Sequence, residues 1–103
     1  MRGVDTDAAG NVFAGGFYGG GPIQWGSLAE LSNPSGENGM LLKTDPAGVP
    51  LWSISIADGS DVQVRDVATT PDGNVVAVGY QSNSYSIVTK YSGSDGSVIW
   101  YGE

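Results

Sequence analysis

The feature that most limits what this chain can become is that it repeats itself. At a shift of 63 residues, Arg2 to Phe17 (RGVDTDAAGNVFAGGF) meets Arg65 to Tyr80 (RDVATTPDGNVVAVGY), with eight of sixteen positions identical and Phe17 facing Tyr80. A second segment, Lys43 to Trp52 (KTDPAGVPLW), returns as Lys90 to Trp100 (KYSGSDGSVIW) at a shift of 47 from the lysine, so the first copy carries 16 more residues between its matched parts. Units this small cannot bury their apolar faces alone. Neighbours of like sequence must supply the cover.

Within each unit, turns punctuate short apolar runs. DAAGN, DPAGV, PDGN and SDGS each set Asp or Pro early and Gly where a positive φ is needed, which predicts type I turns closed by a bulge. Gly makes up 17 of the 103 residues, against an average of about 7%, and that leaves no room for long helices. The runs NVFAGGFY, GMLLKT, VPLWSISI, VQVRDVAT, NVVAVGY, SYSIVTKY and SVIWY are rich in β-branched and aromatic residues and predict seven strands, with a weak eighth at Gly3 to Thr6. The fold class is therefore all-β, built from hairpins.

The pattern inside the strands narrows the architecture. NVVAVGY does not alternate apolar with polar, so both of its faces read as covered. Sheets stacked face to face around an axis, as the blades of a β-propeller are, cover their middle strands twice, and Ala14, Gly16, Ala77 and Gly79 suit a close approach between sheets. The predicted arrangement is two consecutive four-stranded antiparallel blades. Residues 1–57 form the first, with a clipped strand A and a long B-C loop at 19–38, and residues 58–103 form the second with strands A to D. Two blades do not close a ring, so the chain reads as an incomplete propeller, either a fragment or a subunit that completes a ring by self-association.

The run DVATTPDGNVVAVGY followed by IVTKYSGSDGSVIW resembles the SBBP-type (seven-bladed-propeller-like) β-propeller repeats, whose units pair a dpdGNvyvtG hairpin with a K-x-d-x-x-G-x-x-x-W hairpin. The likeness covers Val62 to Tyr101 well, and Arg2 to Ile56 with the insertion. VFAGGFYGG is similar to the double-glycine strand of kelch repeats and YSGSDGSVIW to the closing strand of quinoprotein blades, whereas the Gly-His and Trp-Asp pairs of WD40 repeats are absent. The resemblance implies a non-enzymatic repeat, exported or attached to a cell surface.

Charge and composition exclude several functions. Eleven carboxylates against four cations give a net charge of −7, a field that disfavours nucleic acid and anionic lipid. No apolar run suits a membrane insertion, and the N-terminus lacks the build of a signal peptide. Absence of Cys removes disulfides and thiolate sites, and absence of His removes the commonest general base and metal ligand. DTDAAGN and ADGSD group carboxylates with Gly but depart from the EF-hand spacing. Asx-type turns account for them, and no metal, cofactor or catalytic residue is assigned.

The repeated residues read as structural. Trp52 and Trp100 recur at one blade position and suit packing between blades better than stacking on a ligand. Lys43 and Lys90 read as strand-end cations pairing with carboxylates. Arg2 and Arg65 stand at equivalent positions of different units and do not make a three-arginine cluster.

Length is spent on one end only. The B-C loop, GGGPIQWGSLAELSNPSGEN, is far longer than a hairpin needs, and loops of that kind are often functional. Gln24, Trp25, Glu30 and Asn38 are its candidate contacts for a protein or glycan partner, joined on the same end by Asp58, Asp61, Asn83 and Tyr85. SLAEL could form one helical turn capped by Ser27. In the plainer reading Trp25, Leu28 and Leu31 fold back over the blade rim, since an insertion needs some core of its own. Three functions stay open: a binding module, a blade pair of a quinoprotein-like or lyase-like enzyme whose catalytic groups sit on other blades, and a scaffold without a ligand.

Overall fold

The computed structural model describes residues 2–19, 22–29, 31, 38–56, 61–81 and 86–102. They form eight strands: β1 (Gly3–Thr6), β2 (Val12–Tyr18), β3 (Asn38–Thr44), β4 (Pro50–Ile56), β5 (Val62–Thr69), β6 (Val75–Gln81), β7 (Ser86–Tyr91) and β8 (Val98–Gly102). Each set of four makes an open antiparallel meander, β1-β2-β3-β4 and β5-β6-β7-β8. The described residues contain no helix, and β1 has four residues against eight in β5.

The four tight turns repeat one hydrogen-bond scheme. At the first, Asp7 N donates to Asn11 O (3.0 Å) and Gly10 N to Asp7 O (3.0 Å). The same two bonds recur from Asp45 with Gly48 and from Thr70 with Gly73, and in a wider form from Ser92 with Gly96. Asp7 Oδ1 and Asp45 Oδ1 each accept two further backbone N–H groups, the Asx turn expected of these residues. Gly48 and Gly73 sit at φ of 90° and 83° with open space where a side chain would go, so backbone conformation alone demands glycine there.

The strand register assigns every side chain to a face. In the first sheet the pairs Val4↔Ala14 and Ala14↔Leu42 lie on what we call the front; Gly15↔Leu41 and Lys43↔Trp52 lie on the back. The back of the first sheet packs on the front of the second. Phe13, Leu41 and Trp52 meet Val64, Val67, Val75, Ala77 and Tyr91 in one buried core, with Ile54 and Ile56 packed at its edge. Close approach falls to Gly15 and Gly39. A methyl group on Gly15 would stand 2.7 Å from Val64 and Val67, and one on Gly39 would stand 3.1 Å from Val62.

Three sequence expectations need correction. Of the small residues expected at the approach between sheets, Ala77 lies in the contact, whereas Ala14 and Gly16 face away from the second sheet and Gly15, one position along, meets it, because strand alternation reverses the face with every residue. The reading of β6 as covered on both sides is met only on its front: Val78 and Tyr80 are 41% and 38% exposed, since no sheet lies behind them among the described residues. Lys43 donates to the Gly93 carbonyl (2.6 Å) and stands 5.3 Å over the Phe13 ring, whereas Lys90 does meet a carboxylate, Asp72 Oδ2 at 2.9 Å.

A second polar clasp joins the sheets. Asp5 Oδ2 accepts from Thr69 N (2.8 Å) and Thr69 Oγ1 (3.1 Å). The bond from Thr69 N, helped by that from Thr6 N, holds the Asp5 carboxyl below the ordinary carboxylate range. A carboxylate depressed in the folded state adds stability that is present above its unfolded pKa, roughly pH 4, and that is lost as pH falls through the folded value. Asp5→Asn should therefore flatten the acid limb of a stability-against-pH curve measured by urea melts. An unchanged slope would show that the clasp does not couple to protonation.

Candidate functional site

The long connection between β2 and β3 leaves the sheet at the end opposite the tight turns. Its described part is a small hairpin, not the expected helical turn. Ile23 and Leu31 pair as an antiparallel bridge, with N–H···O distances of 3.0 and 2.8 Å. Leu28 N closes on Trp25 O at 3.0 Å, and Gly26 at φ 55° turns the chain between them. Pairing wins over helix here because the two apolar bridge residues and Trp25 and Leu28 all point to the same cover, the front of the first sheet.

That cover is a second apolar cluster. Ile23, Trp25, Leu28 and Leu31 pack against Tyr18, Met40 and Leu42. Beside it Ser55 Oγ bonds the Tyr18 hydroxyl (2.8 Å) and accepts from Asn38 Nδ2 (3.1 Å). The Trp25 ring of the insertion thus lies at the same end of the sheet as the strand residues Tyr18, Asn38 and Ser55. The Trp25 indole N–H is buried and meets no hydrogen-bond acceptor among the described residues.

The candidate contacts fare differently. Gln24 is exposed and folds its amide onto Leu28 O (3.0 Å). Trp25 is half-buried and serves the cluster. Asn38 is buried, with 3% exposure, and acts within the sheet. Asp61 is exposed just before β5. Glu30, Asp58, Asn83 and Tyr85 lie outside the described residues. Trp25→Ala should lower stability by about 2 kcal/mol, below the cost at a fully buried aromatic because the ring is only partly covered. Both sheets should survive, as read by far-UV circular dichroism, and a neutral effect would free Trp25 from the cluster.

Sequence reasoning missed Gly93, whose backbone receives two side chains from the other sheet. Its carbonyl accepts from Lys43 Nζ (2.6 Å) and Trp52 Nε1 (3.0 Å), and its N–H donates to Asn74 Oδ1 (2.9 Å). A backbone carbonyl leaves no mark in a sequence. The repeated Lys and Trp that find it were the available signal.

Electrostatics at the turn end follow local bonding. The Thr70 hydroxyl and then the Lys90 ammonium hold Asp72 well below the usual carboxylate range, the Asn11 side chain lowers Asp7, and Ser97 lowers Asp95. Burial pushes the Tyr91 hydroxyl up. Among the described residues no group of three carboxylates converges on a point that could hold a metal ion, and no helix is long and apolar enough to cross a membrane. Comparison with known proteins finds no family model that matches the chain and no curated protein similar to it.

Proposed function

We propose that the chain is a pair of consecutive β-propeller blades that works as a repeat scaffold without chemistry of its own and presents the insertion end to a protein or glycan partner. The observation that carries this reading is the sheet stacking: two meanders of the same order, back on front, with the four tight turns at one end and the extra length at the other. Enclosure and convergent titratable groups mark a chemical site. At the insertion end Tyr18, Asn38 and Ser55 bond one another and Gln24 bonds the insertion's own backbone, which suits a surface that holds a shape. Export to the cell surface rests on the likeness to SBBP-type repeats alone.

A titration of the 15N-labelled chain with oligomers of N-acetylglucosamine and of xylose tests the glycan half of the proposal. Shift changes should cluster on Gln24, Trp25, Ser27 and the neighbouring front of β3. Changes confined to the tight-turn end, or to the cleft lined by Ile56, Thr89, Tyr91 and Tyr101, would move the binding surface elsewhere.

A further inference from the structure

The two sheets approach each other most closely along one strand. A methyl group on Gly3, Gly15 or Gly39 would stand 2.6, 2.7 or 3.1 Å from Asp66, Val64 or Val62, all in β5. Beside that contact a cavity of about 290 Å³ opens between Ile56, at the end of β4, and the front of the second sheet. Val62, Ile87 and Val98 give it carbon walls, and Tyr101, 61% exposed, leaves it open to solvent on one side. The described residues that line it include no charged side chain. Its volume lies at the small end of the range for ligand pockets, about 300–1,000 Å³.

Two of the side chains that line this cavity carry hydroxyls and are more than nine-tenths buried, Thr89 at 6% and Tyr91 at 4% exposure. The register sets them two positions apart on the front of β7, opposite Ala77 and Val75. Each is the other's hydrogen-bonding neighbour, and among the described residues neither hydroxyl has another. Two hydroxyls carry two protons, and a bond between them uses one. One donor is left over among carbon walls. The repeat shows that packing alone does not call for it, because Thr89 answers to Leu42 in the first unit, which is 5% exposed beneath the insertion. A hydroxyl at a strand position that an aliphatic side chain fills equally well costs stability unless something bonds it.

We infer that this cleft is a binding site for a small, uncharged, mainly apolar molecule carrying one hydrogen-bond acceptor, which the Thr89–Tyr91 pair meets with its spare proton. The carbon walls supply the affinity and the hydroxyl pair sets the orientation. An ion of either sign would lose its water among residues that hold no counter-charge. The net charge of −7 opposes an anion further. The site is separate from the insertion end and does not depend on what binds there. Ile56 and the front of the second sheet build it, whereas the insertion packs on Tyr18, Met40 and Leu42.

The test titrates the 13C-methyl-labelled full chain with pyridine, at a pH where its ring nitrogen is uncharged, with benzene, which has a C–H in place of that acceptor, and with benzoate. Pyridine and benzene should both shift the methyl signals of Ile56, Val62, Ile87 and Val98 in a saturable way, and benzoate should not. The double substitution Thr89→Val and Tyr91→Phe removes both hydroxyls at nearly constant volume, and the fold should tolerate it because both partners of the bond go together. It should weaken pyridine about fivefold relative to benzene, the loss of one hydrogen bond. Thr89→Leu imports the residue of the first unit, fills part of the cleft and should abolish the shifts with either ring. The inference is overturned if no saturable shifts centre on the cleft, or if benzoate binds as well as pyridine. It is equally overturned if the double variant keeps the ratio of pyridine to benzene affinity, or if Thr89→Leu leaves pyridine bound. Should the double variant not fold, the Thr89→Leu titration and the benzoate comparison decide.

Discussion

Phe13→Ala is expected to cost about 3–5 kcal/mol, the range for removing a fully buried aromatic ring, against a total stability of about 5–15 kcal/mol for a domain. Phe13 has no exposed surface, its ring centroid lies 6.1 Å from that of Trp52, and the Lys43 ammonium stands 5.3 Å over its face. Removing the ring therefore empties the centre of the contact between sheets and strips one side from both Trp52 and Lys43. The repeat supplies its own control, since Val76 holds the same strand position on the open back of the second sheet. Val76→Ala should cost about 1 kcal/mol. Urea melts followed by tryptophan emission and by circular dichroism would compare the two. Equal costs would mean that the sheets are not held together at Phe13.

Gly93→Ala is the second large effect, and its cause is different. A methyl group on Gly93 would press into the carbonyl of Gly73, part of the neighbouring turn's backbone, so one turn has to move away from the other. That movement carries the Gly93 carbonyl away from Lys43 and Trp52. Leaving the buried Trp52 N–H without an acceptor costs about 1–3 kcal/mol, and losing a hydrogen bond to a charged group about 1.5–3 kcal/mol. The two losses share one carbonyl and will not add fully. Slowed or accelerated exchange at the Trp52 indole distinguishes the outcomes: acceleration is expected, and unchanged exchange together with unchanged stability would show that the turns adapt without losing the clasp.

The all-β class, the eight strands and the four tight turns were legible because their signals are local. Positive φ needs Gly, short connections need Asp and Gly, and β-branched runs fill strands. The faces were harder. Register is a matter of parity: Ala77 falls on the contact face as expected, but in the first sheet it is Gly15, one step from Ala14 and Gly16, that meets the second. Lys43 was legible as a fixed cation, but its acceptor lies fifty residues away on another sheet's backbone. At the candidate site, Trp25 and the leucines were readable as cover because an insertion of that length must bury something. The helical turn proposed for SLAEL failed because pairing between Ile23 and Leu31 satisfies their backbone groups while keeping both side chains on the sheet.

The insertion also alters how costly each meander is to close. Nineteen residues separate Tyr18 from Asn38, but only four separate Gln81 from Ser86. By the logarithmic dependence of ring closure on length, joining β2 to β3 forfeits about 1.4 kcal/mol more chain freedom than joining β6 to β7. Tethering the hairpin to Tyr18, Met40 and Leu42 shortens the free span that must be brought together. The segment that lengthens the first meander therefore also helps it shut.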